Sequence, residues 1–339
     1  MAKSKKVTTS KQNPAEVVLV IDVSGSMDGS VTIGNQSYRK LEYAENAAAS
    51  FVSLMRLKTD SLGVCSFNTK GEYEWGKQNG TQYKVRELTD LDVRNAAISS
   101  ILDLDADGNT DMYKGLEYAG NMFTDLQTDK KAIVLLSDGH DNHDVPGEEE
   151  EDLARELNTH GKSIYTVAVG DEADQKKLAA IAGKASRAID VADAFELNKA
   201  FNDIIDQIGI AQVLVNEIVS IPGSSHTASV HPLKDNTVPA GVDTVRLAIV
   251  WDNFKTYSWA GLDAPLPTGG KLVFSVFSTD ENDHEVKVEN NRITVVKDEP
   301  GVLVLDVAGA KAGEHYGCQM FTSFRDNDKV RFSVGVFTA

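Results

Sequence analysis

Five apolar residues, Val17-Val18-Leu19-Val20-Ile21, run without a break into Asp22, and Val23, Ser24, Gly25 and Ser26 follow at once. An unbroken β-favouring run ending in turn residues predicts a strand buried on both faces. Its polar tip would then lie at the carboxyl end of a central parallel strand, where open α/β sheets bind their ligands. Asp22, Ser24 and Ser26 alternate along one side, so their oxygens can converge on one point. One carboxylate with two hydroxyls is a hard-oxygen set, suited to Mg²⁺, Mn²⁺ or Ca²⁺ rather than to zinc.

Two later segments bear on that tip. Gly108-Asn109-Thr110-Asp111-Met112-Tyr113-Lys114 reads as a turn opening into a helix, and Ala132-Ile133-Val134-Leu135-Leu136-Ser137-Asp138 as a second buried strand ending in an acid. The order Asp-x-Ser-x-Ser, then threonine, then aspartate resembles the von Willebrand factor A family and its metal-ion-dependent adhesion site. The resemblance covers about residues 15–210. It implies a doubly wound, mostly parallel α/β sheet. It also implies Ser24 and Ser26 as direct metal ligands, with Thr110, Asp22 and Asp138 binding directly or through water. Neutral hydroxyls leave the cation under-neutralised, and one position left to water is open to an acidic side chain of a protein partner. Met27, Asp111 and His140 form the expected rim that such a partner would touch.

At 339 residues the chain is long for one core, and two domains are expected. No apolar run approaches the ~20 residues that span a bilayer. The net charge of −17 leaves no basic face for phosphates, which argues against nucleic acid. The first residues, Met1-Ala2-Lys3-Ser4-Lys5-Lys6, carry charge with no apolar core behind them. Residues 1–14 therefore read as a disordered tail without a secretory signal, and a cytoplasmic location is expected, with a surface or secreted one reached by a non-standard route as the alternative. Cys65 and Cys318, the two cysteines, are expected as free thiols.

After the tip, Asp28 to Arg39 is a polar insert, read either as a specificity loop or as passive surface. Helical periodicity marks Lys40 to Leu57, Leu91 to Leu104, the stretch from Met112 to Phe123, Glu148 to His160, Asp174 to Lys184 and Phe195 to Gly209. Strands are expected at Leu62 to Phe67, Ser163 to Gly170 and Arg187 to Val191, with an antiparallel edge strand between Glu72 and Leu88. From Val213 the texture changes to alternation, as in Val245, Leu247, Ile249 and Trp251, or Val330, Phe332, Val334 and Val336. Residues 211–339 are thus expected to form an all-β sandwich or jelly roll, joined without a flexible linker near Ala211. Glu285 to Val296 reads there as a hairpin with an Asn290-Asn291 turn.

Other acidic groups have simpler readings. Asp103, Asp105, Asp107 and Gly108 repeat the opening of an EF-hand loop, but Lys114 stands where its last carboxylate belongs. Asp280 to His284 and Asp326 to Asp328 are Asx-rich turns with a structural calcium as the alternative. His140 and His143 read as solvated loop histidines. The chain lacks the patterns of zinc hydrolases, serine hydrolases and phosphate-binding loops, so no enzyme is expected. Two functions remain. One is a metal-dependent adhesion or protein-binding module. The other is an intracellular adaptor for an ATPase of the AAA type (MoxR-like), as some bacterial relatives of this family are.

Overall fold

The computed structural model of the chain describes residues 13–33, 36–138, 149–169, 173–191, 194–221, 227–231, 237–251, 257–263, 270–279, 282, 284–299, 301–322 and 330–339. The first half alternates strands and helices. Its strands are β1 (Glu16–Asp22), a hairpin of β2 (Ser30–Ile33) and β3 (Gln36–Arg39), β4 (Ser61–Phe67), β5 (Gly71–Trp75), a second hairpin of β6 (Lys77–Asn79) and β7 (Gln82–Lys84), β8 (Arg86–Glu87), β9 (Lys131–Ser137), β10 (Lys162–Val169) and β11 (Ala188–Val191). Its helices are α1 (Lys40–Leu54), α2 (Leu91–Leu102), α3 (Met112–Met122), α4 (Glu150–Thr159), α5 (Gln175–Ala182) and α6 (Ala194–Ile208).

The main sheet runs β11-β10-β9-β1-β4-β5, with β8 also paired to β4. The pairs from β11 to β4 are parallel, whereas β5 and β8 join β4 antiparallel. Successive residues of a strand face opposite sides. Val17, Leu19 and Ile21 accordingly pack with α1, α2 and α6, while Val18 and Val20 pack with α3, α4 and α5. Burial on both faces is why β1 reads as a continuous apolar run.

Helix α1 stops at Leu54, three residues before the expected end. The buried Asp60 carboxylate takes the Arg56 backbone N–H at 2.9 Å and the Arg56 guanidinium at 2.6 Å, which turns the chain out of the helix. At the amino terminus, the last two residues of the expected tail are tied down. The Asn13 carbonyl accepts from Arg56, and the Pro14 carbonyl accepts from Thr128 Oγ1. Cys65 and Cys318 are free and buried, as expected.

The second half is all β: β12 (Val213–Ile221), β13 (Thr227–Val230), β14 (Thr244–Trp251), β15 (Ser258–Leu262), β16 (Lys271–Thr279), β17 (Glu285–Lys287), β18 (Ile293–Glu299), β19 (Val302–Ala308), β20 (Tyr316–Thr322) and β21 (Val330–Thr338). One sheet runs β12-β21-β14-β19-β18 and the other β13-β20-β16-β15, with β17 on β16. All these pairs are antiparallel except β15 with β16. The alternating Val245, Leu247, Ile249, Phe332, Val334 and Val336 meet Leu272, Phe274 and Met320 of the other sheet in one core.

The expected hairpin at Glu285 to Val296 does not form. β17 pairs with β16 and β18 with β19, so this stretch crosses from one sheet to the other. A two-residue hairpin turn of type I′ needs positive φ at both central residues. Asn290 to Arg292 instead make a single 3-10 turn at negative φ, and buried Val288 pins the crossing.

The first sheet of this half is covered on both sides. Its other face puts Ala248, Val302, Val304 and Phe337 into the core containing α1 and α6. Polar groups seal the same seam: Asn198 Nδ2 donates to Ser333 Oγ at 3.0 Å, and Asn216 Nδ2 to the Lys199 carbonyl at 3.1 Å. Among the described residues, no helix is long and apolar enough to cross a membrane.

Candidate metal centre

Asp22 is the last residue of β1, and Ser137 ends the neighbouring parallel strand β9. Their register brings the two side chains together, and Ser137 Oγ donates to Asp22 Oδ2 at 2.5 Å. The Ser24 backbone N–H donates to the other oxygen, Oδ1, at 2.8 Å. Asp22 has no exposed surface, and that burial pushes its pKa up to about 6. The bonds from Ser137 and Ser24 work against the rise, and the nearby Asp138 charge adds to it.

Beyond Asp22 the chain makes one 3-10 turn, Gly25–Asp28, closed by the Met27 N–H on the Ser24 carbonyl. The turn sets the Ser24 and Ser26 hydroxyls 3.0 Å apart. Ser26 Oγ then donates to Asp138 Oδ1 at 2.9 Å, across 112 residues of sequence. The second Asp138 oxygen, Oδ2, accepts from Lys40 Nζ at 2.9 Å.

The threonine loop is strapped down on two sides. The Asp107 N–H reaches the Val23 carbonyl at 2.8 Å, and the Gly25 N–H reaches the Gly108 carbonyl at 2.9 Å. On the other side the Asp111 N–H bonds the Asn68 carbonyl at 2.8 Å. Gly108 sits at φ +79°, a left-handed conformation that favours glycine, and a Cβ on Gly25 would lie 3.3 Å from the Gly108 carbonyl oxygen. These contacts hold Thr110, 1% exposed, in the loop beside the tip.

Two of the expected rim residues are buried. Met27 is fully buried in the core with α1, because the 3-10 turn points its side chain inward. Asp111 is also buried, and its carboxylate caps α3 by accepting the Lys114 N–H at 3.1 Å. His140 and His143 lie outside the described residues, as do Asp326 to Asp328 and most of Asp280 to His284. The stretch Asp103 to Gly108 lies between the end of α2 and the strapped threonine loop that leads into α3, and Lys114, in the first turn of α3, stands where an EF-hand places its last carboxylate.

The oxygens fit a hard cation. An octahedral Mg²⁺ with metal–oxygen distances of ~2.1 Å sets neighbouring ligand oxygens ~3 Å apart. Ser24 Oγ to Ser26 Oγ at 3.0 Å and Ser26 Oγ to Asp138 Oδ1 at 2.9 Å have that spacing. Lys40 and Ser137 were not singled out from the sequence. A lysine at the first position of a helix, where the dipole is positive, is the signal that could have marked Lys40. Ser137 is visible only once strand register is known.

A family model for the von Willebrand factor type A domain matches residues 16–203. No curated protein matches the chain. Among solved structures, a von Willebrand factor type A protein from Catenulispora acidiphila is 18% identical, with a TM-score of 0.47 over 92% of this chain and 58% of that one. The PilB minor pilin from Streptococcus sanguinis is 17% identical, with a TM-score of 0.48 over 62% of this chain and 66% of that one. Proximal thread matrix protein 1 from the mussel byssus, in a form with a zinc-occupied MIDAS motif, is 18% identical, with a TM-score of 0.45 over 57% of this chain and 46% of that one. The chain therefore spans less than two thirds of the length of each of these proteins.

Proposed function

The chain belongs to the von Willebrand factor type A domain family, and from that premise we propose that it is a metal-dependent protein-interaction module. Ser24, Ser26, Thr110, Asp22 and Asp138 would hold one divalent cation, Mg²⁺, Mn²⁺ or Ca²⁺, and the partner would present an acidic side chain to it. The observation that carries this reading is the run of ~3 Å contacts from Ser24 Oγ through Ser26 Oγ to Asp138 Oδ1.

When bound, the ion supplies a concentrated positive charge that draws in a carboxylate. The chain's own groups prepare the place. Ser137 and the Ser24 N–H fix both Asp22 oxygens, so the serine loop cannot swing away. The strapped loop from Asp107 to Asp111 fixes Thr110. The interaction unit is assigned to residues 15–210, and the all-β unit from 211 onward braces it through α1 and α6.

Thermal unfolding of the wild type and Asp138→Ala in EDTA, Mg²⁺, Mn²⁺ and Ca²⁺ tests the reading. Ligand binding to the folded state alone adds ~2.7 kcal/mol at a hundredfold excess over Kd, so the wild-type midpoint should climb with metal concentration. Asp138→Ala should not respond. Equal responses in both proteins would place the metal elsewhere.

A further inference from the structure

We propose that Lys40 is a tethered cation that competes with the divalent ion for Asp138 and so sets the metal concentration at which the site loads. This rests on the metal reading given above. Asp138 is engaged at both oxygens, by Ser26 Oγ on Oδ1 and by Lys40 Nζ on Oδ2, each at 2.9 Å. The pair is shielded from solvent, with side-chain exposures of 14% for Lys40 and 3% for Asp138. An ammonium in this position offers Asp138 the charge and the hydrogen bonds that a hydrated cation would offer it.

Helix formation does not account for the lysine. Lys40 is the first residue of α1, and the residue before it, Arg39, makes no side-chain capping bond. Positive charge is disfavoured at that end of a helix, where the exposed N–H groups already carry partial positive charge. Both cations instead reach for acids away from the helix: Arg39 pairs with Asp28 at 2.8 Å and Lys40 with Asp138. The lysine is also held in place from its backbone, because its N–H bonds the Gly29 carbonyl at 2.8 Å, just after the serine turn. Gly29 lies against its stem, since a Cβ there would come 3.7 Å from Lys40 Cε.

The charge balance gives the direction of the effect. With Asp22 and Asp138 ionised, Lys40 lowers the local charge from −2 to −1. A divalent ion entering beside it must displace the ammonium from Asp138 Oδ2 or bear its repulsion at close range. Both alternatives weaken metal binding. Across several ångströms of shielded protein, such a repulsion is worth roughly tenfold or more in affinity.

Calorimetric titration of the whole chain with MnCl2 and MgCl2, at fixed ionic strength, tests this in the wild type, Lys40→Met and Lys40→Gln. Circular dichroism establishes that the variants are folded. We expect both neutral variants to bind Mn²⁺ about tenfold or more tightly than the wild type. Equal or weaker binding in both variants, with the wild type still binding, would overturn the role of Lys40 and leave the metal site standing. Absence of binding in all three proteins would remove both. Loss of fold in both variants would make Lys40 a structural strut and overturn the proposal as well.

Discussion

Arg246 Nη1 donates a 2.7 Å hydrogen bond to the carbonyl of Ser53, joining strand β14 of the all-β half to the last turn of α1. The same guanidinium grips Asp306 with its other two nitrogens, at 2.6 and 2.7 Å. A helix C-terminus leaves carbonyls without intrahelical donors, and this arginine satisfies one of them. Phe337, Ala248, Val302 and Val304 pack around the same seam, and Arg331 lies 4.5 Å over the Phe195 ring. The two halves thus share a core.

Arg246→Met should therefore destabilise the α/β half, although the substitution lies in the other one. Removing one partner of a largely buried ion pair costs ~3–5 kcal/mol, and the partial exposure of Asp306 reduces this to about 2 kcal/mol. Urea unfolding followed by Trp fluorescence and by circular dichroism measures it. A change below ~0.5 kcal/mol would show that the seam is held by its apolar contacts alone.

Gly115→Ala should also destabilise, against the usual preference of helices for alanine. A Cβ at this position on α3 would sit 2.7 Å from Phe67 Cδ1 and 3.1 Å from Val20 Cγ1, and both side chains are buried under the helix. Overpacking of this kind costs ~1–3 kcal/mol. The midpoint in urea is the readout, and an unchanged or higher midpoint would mean that α3 can lift without loss.

Glu45 gives the fold a pH dependence. It sits on the buried side of α1 at 9% exposure, and burial raises its pKa to about 8. Arg39 opposes the rise, while Glu42, Asp105 and Asp103 add to it. Between pH ~4.5 and ~8 the unfolded chain gives up this proton before the folded one does, so stability falls as pH rises through that window. Glu45→Gln should be the more stable protein at pH 9, with the advantage gone by pH 4.5. Thermal midpoints across that range, in EDTA, give the comparison. A constant difference would show that Glu45 ionises normally in the fold.

On the proposed reading, water on a bound Mn²⁺ would report the capture of an acidic partner. Mn²⁺-loaded protein should enhance water proton relaxation, and a short peptide with one glutamate should reduce that enhancement by displacing the water. The same peptide with glutamine in place of glutamate should leave it unchanged. A fall with both peptides would mean that capture does not depend on the carboxylate.

The α/β half was legible because its signals are local. An apolar run buried on both faces, a tip of alternating oxygens and helices with one apolar stripe each depend on neighbours a few residues apart. Helix α1 ended earlier than its apolar stripe implied, because the buried Asp60 carboxylate, four residues on, takes the Arg56 N–H, and periodicity does not record such a side-chain bond. The rim was read less well. Met27 and Asp111 stand next to site residues in sequence, but one turn buries the first and helix capping occupies the second.

The sequence by itself determined the strand-to-helix alternation, the oxygen chemistry of Asp22, Ser24 and Ser26, and the change to β structure after Ala211. Tertiary structure alone decided three things. It carried Glu285 to Val296 across two sheets, buried Ser333, Phe337 and Ala248 against α1 and α6, and set the Lys40 ammonium on Asp138. The physical reason is range. A period of two or of 3.6 residues records which face of an element is apolar, because that face repeats along the chain. The partner that covers the face, or the charge that meets a lone lysine, comes from residues about a hundred or more positions away and leaves no local pattern to read.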